Sequence, residues 1–428
     1  MPFHLLTPRE QIVRIINRIY CNRMTTLSGG NLSIRDNNGD IWITPAGIDK
    51  GKLAPGDIMC VKADGQAVGP HTPSSELPFH RWIYECRPDL NAIVHAHPPA
   101  LVSFSIIRDI PDTNIIPQAK KVCGKVGYAS YAIPGSEKLG KNIAAAFKNE
   151  FNVVLLENHG VVTGADSLLN AFYRLETLEF CARTIIQASK LGEVSTLTED
   201  QIQQFDHQQN HLPEFKVENH TSKEKELRYQ IIDIVHRACD NFLMVSTEGV
   251  VSARLDDNSF LITPTGMGMH SLEIQDVVLI KDGKREQGKN PSRSVLLHDA
   301  IYRENPNVKS IITAQSPNVA AYAISDKIFE TRTIPESFIV LRSIPKIPFG
   351  KQFSEQAQIA KTIGKDTPVL IIQNDCLLTT GQSILDAFDR LEVAEFSARS
   401  SIDSISIGNV VPIGKTEVDE LVNTFLKD

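Results

Sequence analysis

Three histidines have the spacing and the residue type of a catalytic metal site. His95 and His97 follow the apolar run at residues 91–94, which predicts a strand, so both imidazoles lie on one face of it. His159 follows a second apolar run, residues 153–156, which predicts a neighbouring strand. Three neutral imidazoles commonly bind a catalytic zinc ion and leave a coordination position open to substrate. The alternative interpretation is three unrelated histidines, each satisfied by its own hydrogen bonds.

The chain offers an internal comparison, because its sequence starts again near residue 220. The segment Ile43-Thr-Pro-Ala-Gly47 recurs as Ile262-Thr-Pro-Thr-Gly266, and Asn170-Ala-Phe-Tyr-Arg-Leu-Glu176 recurs as Asp386-Ala-Phe-Asp-Arg-Leu-Glu392. A repeat this long predicts a duplicated domain rather than a solenoid, and two domains of ordinary size fit 428 residues.

The candidate ligands are absent from the second copy. In the alignment of the two copies, His95, His97, His159 and Glu76 are replaced by Thr313, Gln315, Asp375 and Ser294. The apolar framework and the turn residues are retained, so the histidines are not needed to build the domain. We therefore expect the second copy to be catalytically inactive.

The composition excludes several classes of protein. A net charge of −7 and a pI near 6.0 argue against a nucleic-acid or membrane-surface partner. The sequence has neither an apolar run of about 18 residues nor a charged and then apolar leader, which predicts a cytoplasmic protein without a membrane span. The seven cysteines are scattered and odd in number, which is typical of reduced thiols.

Sequence patterns typical of helices indicate where the candidate site residues lie. A capping box at Thr7 opens the first copy and recurs at Thr221. A helix is expected over about 75–85, with Ser74 as its N-cap and Glu76 in its first turn, and a long helix over about 167–191.

The predicted domain limits follow from a polar segment between the copies. Residues 201–211 are polar and poorly periodic, which predicts a linker in which His207 and His211 are solvated. The prediction is a metal-binding domain over 1–205, a linker over 206–221 and a degenerate domain over 222–428.

Five motifs of the first copy resemble the class II aldolase/adducin family, typified by fuculose-1-phosphate aldolase. The resemblance covers nearly the whole first copy and, more weakly, the second. The motifs are Ser28-Gly-Gly-Asn-Leu-Ser33, Ile43-Thr-Pro-Ala-Gly47, Pro73-Ser-Ser-Glu76, His95-Ala-His97 and Glu157-Asn-His-Gly160. The resemblance implies an α/β fold of three layers, α/β/α, present twice in tandem.

The resemblance also implies the roles of individual residues. His95, His97 and His159 would hold one zinc ion per chain, in the first copy only, and Glu76 would be the catalytic acid and base. A substrate phosphate would be bound by Asn31, Gly47, Ser74 and Ser75. A helix N-terminus with nearby hydroxyls and turn glycines is physically suited to an anion, although the same residues could simply form turns and a cap.

The implied reaction is that of a lyase of carbohydrate metabolism. A zinc-dependent aldolase would cleave a ketose phosphate to dihydroxyacetone phosphate and an aldehyde through a metal-stabilised enediolate. Family aldolases protonate the leaving aldehyde with an aromatic hydroxyl from a neighbouring subunit. Lys120 and Lys121 stand at about the place of one such tyrosine, and nothing in the sequence assigns this role to Tyr128 or Tyr131. The alternatives are therefore a methylthioribulose-1-phosphate type dehydratase, an oxo-acid phosphate decarboxylase, or a non-enzymatic adducin-like scaffold.

The expected partners are a phosphorylated sugar and a second copy of the chain. Family members form fourfold rings with active sites between subunits. A tandem chain is accordingly expected to form a homodimer that makes a pseudo-fourfold ring, in which each active copy is completed by an inactive one. The competing interpretation is that the second copy is an independent regulatory or docking module.

Overall fold

A computed structural model describes residues 3–208 and 211–426 of the chain. The chain divides into two compact units, Met1–Thr113 with Gln118–Arg183 and Asn114–Pro117 with Thr184–Asp428. Each unit contains one mixed α/β copy of the repeat, as the duplication predicts. The domain limits drawn from the sequence stay a prediction.

The first unit is built on a sheet that has eight strands among the described residues. Their order across the sheet is β4-β3-β2-β1-β5-β8-β7-β6. The strands are β1 (Asn31–Arg35), β2 (Ile41–Ile43), β3 (Met59–Val61), β4 (Ala67–Val68), β5 (Ala92–Ala96), β6 (Val126–Ala129), β7 (Val153–Leu156) and β8 (Gly160–Ala165).

The register of the three central strands positions the candidate site. On β5, His95 is paired with Asn31 of β1 on one side and with Val162 of β8 on the other. Because β7 and β8 are joined by a tight turn, His159 in that turn is carried to the same end of the sheet. Both apolar runs form strands, as predicted, but the two strands are not neighbours, because β8 lies between β5 and β7.

Helices cover the sheet of the first unit. They are α1 (Pro8–Cys21), α2 (Leu77–Cys86), α3 (Pro99–Ile107), α4 (Pro117–Cys123), α5 (Glu137–Lys148) and α6 (Leu168–Leu191), with single 3-10 turns at Phe3–Leu5, Pro55–Asp57 and Thr113–Ile115. The capping box at Thr7 is confirmed, and α6 agrees with the predicted long helix within one residue.

The start of α2 differs from the sequence prediction. The helix begins at Leu77, with Glu76 as its N-cap, rather than near Ser75 with Ser74 as the cap. Pro78 lies in the first turn, where a missing N–H costs nothing. Ser74 instead closes a turn, since its Oγ accepts from the backbone N–H of Glu76 at 3.3 Å.

The core of the first unit follows strand alternation. Ile93 and Val154 point to the face on which α2 and α5 pack, where they join Phe79, Ile83 and Ile143 in one buried cluster. Their neighbours in sequence point to the opposite face. The sheet is therefore a largely apolar platform that is covered on both faces.

The second unit repeats this plan with a sheet of nine strands within the described ranges, in the order β15-β16-β17-β14-β10-β11-β12-β13-β9. Its strands are β9 (Glu214–Phe215), β10 (Val250–Arg254), β11 (Ser259–Ile262), β12 (Val278–Lys281), β13 (Lys284–Glu286), β14 (Ser310–Ala314), β15 (Lys346–Ile347), β16 (Val369–Ile372) and β17 (Cys376–Gly381). The register is also repeated: Val250 is paired with Thr313, as Asn31 is with His95.

The helices of the second unit include one that the sequence prediction missed. They are α7 (Glu199–Asp206), α8 (Ser222–Asp240), α9 (Val295–Glu304), α10 (Pro317–Ala323), α11 (Pro335–Leu341), α12 (Lys351–Ser354), α13 (Gln356–Thr362), α14 (Ile384–Ile405) and α15 (Lys415–Phe425), with 3-10 turns at Met269–Ser271 and Ile274–Asp276. Most of the polar segment expected to be irregular lies in α7, which has a capping box at Thr198 and buries Ile202 and Phe205. No helix of the described residues is long and apolar enough to cross a membrane.

Candidate metal centre and active site

The three candidate ligands are presented by the ends of β5 and β8. His95 is fully buried, and its Nδ1 lies 2.9 Å from the carbonyl oxygen of Val161 on β8. A carbonyl only accepts, so Nδ1 carries the proton and Nε2 is left with a free lone pair. His97 lies one residue beyond β5, and His159 lies in the turn after β7.

The imidazole nitrogens converge on one point. One nitrogen from each ring lies within 4.8 Å of the others, and the Nε2 atoms of His95 and His97 are 3.1 Å apart. A tetrahedral ion with bonds of about 2.0–2.1 Å needs nitrogens roughly 3.4 Å apart. The buried Nδ1 of His159 has no hydrogen-bond partner among the described residues. This cluster could therefore bind a metal ion.

Two glycines make room for the ring of His97. A Cβ atom at Gly29 would lie 2.9 Å from Nδ1 of His97, and one at Gly160 would lie 2.6 Å from its Cδ2 atom. The second copy has Glu248 and Cys376 at these positions, where no histidine needs the space. The ring of His97 therefore requires glycine at both of these positions.

The local electrostatics keep all three histidines neutral at neutral pH. Burial lowers the pKa of His95 and of His97 to about 3, and mutual repulsion between the imidazoles adds to the shift. Burial also lowers the pKa of His159, although the nearby Glu76 opposes this effect. Neutral imidazole is the form that binds a metal ion.

Glu76 lies beside the cluster, as the candidate acid and base. Its Oε2 is 3.3 Å from Nε2 of His95, and its Oε1 is 4.0 Å from Nε2 of His159. Oε2 also accepts a 2.7 Å hydrogen bond from the amide of Asn31, whereas the buried Oε1 has no hydrogen-bond donor among the described residues. One carboxylate oxygen is therefore held in place while the other is available to a substrate.

The residues expected to bind phosphate lie on two adjacent loops. The backbone N–H of Ser74 donates to Thr44, and residues 45 and 73 form an isolated β-bridge, so the loop of Gly47 runs beside that of Ser74 and Ser75. Ser75 is exposed, and a Cβ atom at Gly47 would contact nothing within 4 Å. The side-chain amide of Asn31 is hydrogen-bonded to Glu76 and His80 rather than directed to these loops.

Lys50 is a candidate that the sequence analysis did not single out. It is 2% exposed, and its ammonium donates to the carbonyl oxygen of Pro45 at 2.6 Å. Burial lowers its pKa, and no carboxylate of the described residues forms an ion pair with it. The equivalent residue in the second copy is Met269, which is equally buried. The replacement of a buried cation by an apolar residue in the second copy was the available sequence signal.

In the second copy, carboxylates occupy the place of the histidine cluster. Asp375 stands at the position of His159, and it is hydrogen-bonded by Gln352 at 3.0 Å. Burial raises the pKa of Asp375 to about 6 and that of Glu248 to about 7. Among the described residues of this copy, no group of His, Cys, Asp and Glu side chains has ligand atoms as closely placed as those of the first copy.

The two tyrosines considered as proton donors lie on β6 and just after it. The hydroxyl of Tyr128 is buried and has no hydrogen-bond partner among the described residues, whereas Tyr131 is 53% exposed. Lys120 and Lys121 lie in α4. The geometry of the described residues gives none of these four a role in protonating a leaving group.

Sequence comparison identifies the family. The model described as Class II Aldolase and Adducin N-terminal domain matches residues 10–186 and again residues 229–402, which together are more than half of the chain. The chain belongs to the class II aldolase and adducin family. The two matched segments correspond to the two copies, so the family assignment covers the second copy as well.

Curated relatives in the class II aldolase and adducin family include different enzymes. The chain is 33% identical over 200 residues to the 5-deoxy-D-ribulose 1-phosphate aldolase of Bacillus thuringiensis, covering 46% of this chain and 92% of the relative. It is 33% identical over 173 residues to the L-fuculose phosphate aldolase of Methanococcus maripaludis, covering 40% of this chain and 93% of the relative. It is 32% identical over 183 residues to the 3-oxo-tetronate 4-phosphate decarboxylase of Escherichia coli, covering 41% of this chain and 85% of the relative. The chain is therefore similar to enzymes of the class II aldolase type.

Proposed function

We propose that this protein is a zinc-dependent lyase that cleaves a ketose phosphate to dihydroxyacetone phosphate and an aldehyde. One metal ion would bind per chain, to His95, His97 and His159 of the first copy. The observation that carries the proposal is the placement of a carboxylate beside three convergent neutral imidazoles, with all four residues replaced in the second copy. The similarity to two sugar-phosphate aldolases supports the choice of reaction.

The proposed mechanism divides the work between the metal and Glu76. His95, His97 and His159 would hold the zinc ion, which would supply Lewis acidity toward a substrate carbonyl oxygen. Glu76 carries the proton, because its Oε1 is free of donors and lies on the side of the histidine cluster. The hydrogen bond from Asn31 to Oε2 restrains the rotation of the carboxylate, so that Oε1 keeps facing the cluster.

The substrate phosphate is proposed to bind at the paired loops of Gly47, Ser74 and Ser75. Gly47 and Ser75 offer backbone N–H groups, and Ser74 and Ser75 offer hydroxyls, next to the beginning of α2. Lys50 supports an anionic substrate: a buried ammonium without a counter-ion carries a desolvation penalty that a bound phosphate would offset. The assignment of Asn31 to the phosphate stays a prediction, since its amide contacts Glu76.

A second candidate reaction is decarboxylation of an oxo-acid phosphate. It is favoured by the similarity to 3-oxo-tetronate 4-phosphate decarboxylase. This reaction needs the same polarised carbonyl but does not require a group that protonates a leaving aldehyde. It is therefore compatible with the described residues of this chain, none of which is assigned that role.

Product analysis distinguishes the candidates. The metal-loaded protein is incubated with a panel of ketose 1-phosphates and with 3-oxo-tetronate 4-phosphates, and each mixture is examined by ¹H and ³¹P NMR. Dihydroxyacetone phosphate together with an aldehyde supports the aldolase. Release of carbon dioxide supports the decarboxylase, and loss of water supports the dehydratase. If no substrate is turned over while metal is bound, the lyase proposal is wrong for these substrate classes.

The chain is further proposed to form a homodimer, in which active and inactive copies alternate in a pseudo-fourfold ring. The support is the ring assembly expected from the family and the exposure of large apolar side chains on α14, where Leu385 and Phe396 are 63% and 67% exposed. These residues are 11 positions apart and so lie on one side of the helix. Sedimentation equilibrium tests the proposal: a mass of two chains supports it, and a monomer at micromolar concentration contradicts it.

A further inference from the structure

A chain of buried hydrogen bonds runs through the first copy and ends at Glu76. The hydroxyl of Tyr84 is 2.7 Å from Oγ of Ser33, which is 2.7 Å from Nδ1 of His80. Nε2 of His80 is 2.5 Å from Oδ1 of Asn31, whose Nδ2 is 2.7 Å from Oε2 of Glu76. His80 is fully buried, and Asn31 is 3% exposed.

The chemistry of the groups fixes the direction of every bond in this chain. An ionised Glu76 can only accept, so Asn31 must present its amide N–H₂ to Glu76 and its carbonyl oxygen to His80. Nε2 of His80 must then carry the proton, which leaves Nδ1 to accept from the hydroxyl of Ser33. Ser33 in turn accepts from Tyr84. Each polar atom between Tyr84 and Glu76 is satisfied in this one arrangement.

The second copy retains one half of this series of hydrogen bonds and lacks the half that, in the first copy, reaches Glu76. Oγ of Ser252 lies 2.8 Å from Nδ1 of His298 and 2.7 Å from the hydroxyl of Tyr302, as in the first copy. Val250 replaces Asn31, and the buried Nε2 of His298 has no hydrogen-bond partner among the described residues. The serine–histidine–tyrosine part is therefore compatible with the fold alone, whereas the histidine–asparagine–glutamate part occurs only beside the metal cluster.

We propose that His80 is a positioning residue for the proposed lyase reaction: its Nε2–H fixes the orientation of the Asn31 amide, which in turn holds Glu76 beside the histidine cluster. Without this donor, the Asn31 amide could rotate by half a turn and point its oxygen at the carboxylate, which would repel Glu76. His80 forms no hydrogen bond with the three candidate metal ligands, and it is not expected to contact the substrate. It would therefore act only through Asn31. The inference rests on the proposed role of Glu76 as the proton carrier.

The test uses two substitutions of His80, each of which places an amide at the position of only one of the two ring nitrogens. In His80→Asn, the side-chain amide reaches the position of Nδ1 and can still bind Ser33, but nothing donates to Asn31. In His80→Gln, the longer amide reaches the position of Nε2 and can donate to Asn31. His298→Asn is the matched control, because it makes the same change in the same serine–histidine–tyrosine setting of the second copy. All variants are measured as the full chain loaded with zinc.

The proposal predicts a loss of turnover rather than of substrate binding. In His80→Asn, kcat falls by about 10- to 100-fold, the range expected when a catalytic group is displaced by about 1 Å, while KM and bound zinc change less than threefold. His80→Gln recovers at least part of that loss, and His298→Asn leaves kcat unchanged even if it lowers the melting temperature as much as His80→Asn does. If His80→Asn and His298→Asn lose stability alike and both keep full kcat, the proposal is wrong.

A second measurement does not depend on activity. In protein labelled with ¹⁵N-histidine, the signals that disappear in His80→Asn belong to His80, and their ¹⁵N shifts report which nitrogen carries the proton. The proposal requires the Nε2–H tautomer. An Nδ1–H tautomer would overturn it even if the protein is a confirmed lyase. Detection of the Nε2–H tautomer in a protein that lacks lyase activity would instead overturn only the proposed function.

Discussion

The carboxylate of Glu76 lies 3.3 Å from Nε2 of His95, the nitrogen that is left without a proton by the bond to Val161. One oxygen of this carboxylate is held by Asn31, and the other has no hydrogen-bond donor among the described residues, which is the arrangement that the proposed proton transfer by Glu76 requires.

Glu76→Gln is expected to lower kcat by about 10²- to 10⁴-fold, because the amide cannot accept and return a proton. Zinc content and melting temperature should stay close to those of the wild type, since Glu76 is not among the three ligands. Steady-state kinetics with metal analysis on the same preparation measures both. Activity within a few-fold of the wild type would mean that Glu76 is only a capping residue.

Lys50→Met is expected to weaken recognition of the substrate phosphate. The variant places in the first copy the residue that the second copy carries as Met269, so the site should accept it sterically. We expect KM for a phosphorylated substrate, and the inhibition constant of inorganic phosphate, to rise about tenfold, or roughly 1.4 kcal/mol. Stability should be equal or higher, because a buried charge is removed. An unchanged phosphate constant would show that Lys50 only stabilises the loop.

Gly160→Ala is expected to lower metal affinity by crowding His97. The added Cβ would lie 2.5 Å from the carbonyl oxygen of Ala96 and 2.6 Å from Cδ2 of His97, so the ring must move. We expect at least a tenfold loss of zinc affinity, as is common when groups that orient a ligand are disturbed. Gly408→Ala is the control, since a Cβ there meets nothing within 4 Å. Competition with a chelator measures both variants, and equal affinities would contradict the argument.

Glu248→Gln is expected to change the pH dependence of stability. Burial raises the pKa of Glu248 from 4.5 to about 7 in the folded protein. Between these values the folded state keeps a proton that the unfolded state has lost, so wild-type stability decreases as pH rises from 4.5 to 7. The variant lacks this effect, and its stability relative to the wild type should grow across that window and level off above it. Urea unfolding at pH 5, 6, 7 and 8 checks this; a difference that is constant with pH would refute it.

The sequence predicts the parts of this structure that depend on local pattern and internal repetition. The alternation of His95 and His97 on a strand needs only the two-residue period of β-structure. The replacement of every candidate ligand in the second copy shows, from the sequence alone, that these residues are not needed for the fold. The capping box at Thr7 is likewise encoded over a few residues.

Contacts between distant segments could not be predicted in this way. The hydrogen bond from Asn31 to Glu76 joins residues 45 positions apart, and it depends on how β1 lies beside the start of α2. The helix Glu199–Asp206 was missed because its apolar face consists of little more than Ile202 and Phe205. The start of α2 at Leu77 was missed because Ser74 also serves a turn, and hydroxyl residues favour both roles.

The central claim is that metal-dependent chemistry is confined to the first copy, at His95, His97 and His159. The most direct test is metal analysis of the full chain after loading with zinc, combined with anomalous diffraction at the zinc absorption edge. We predict one ion per chain, bound by these three side chains, and its loss in His97→Ala but not in Gln315→Ala. Two ions per chain, or an ion bound near Asp375 in the second copy, would contradict it.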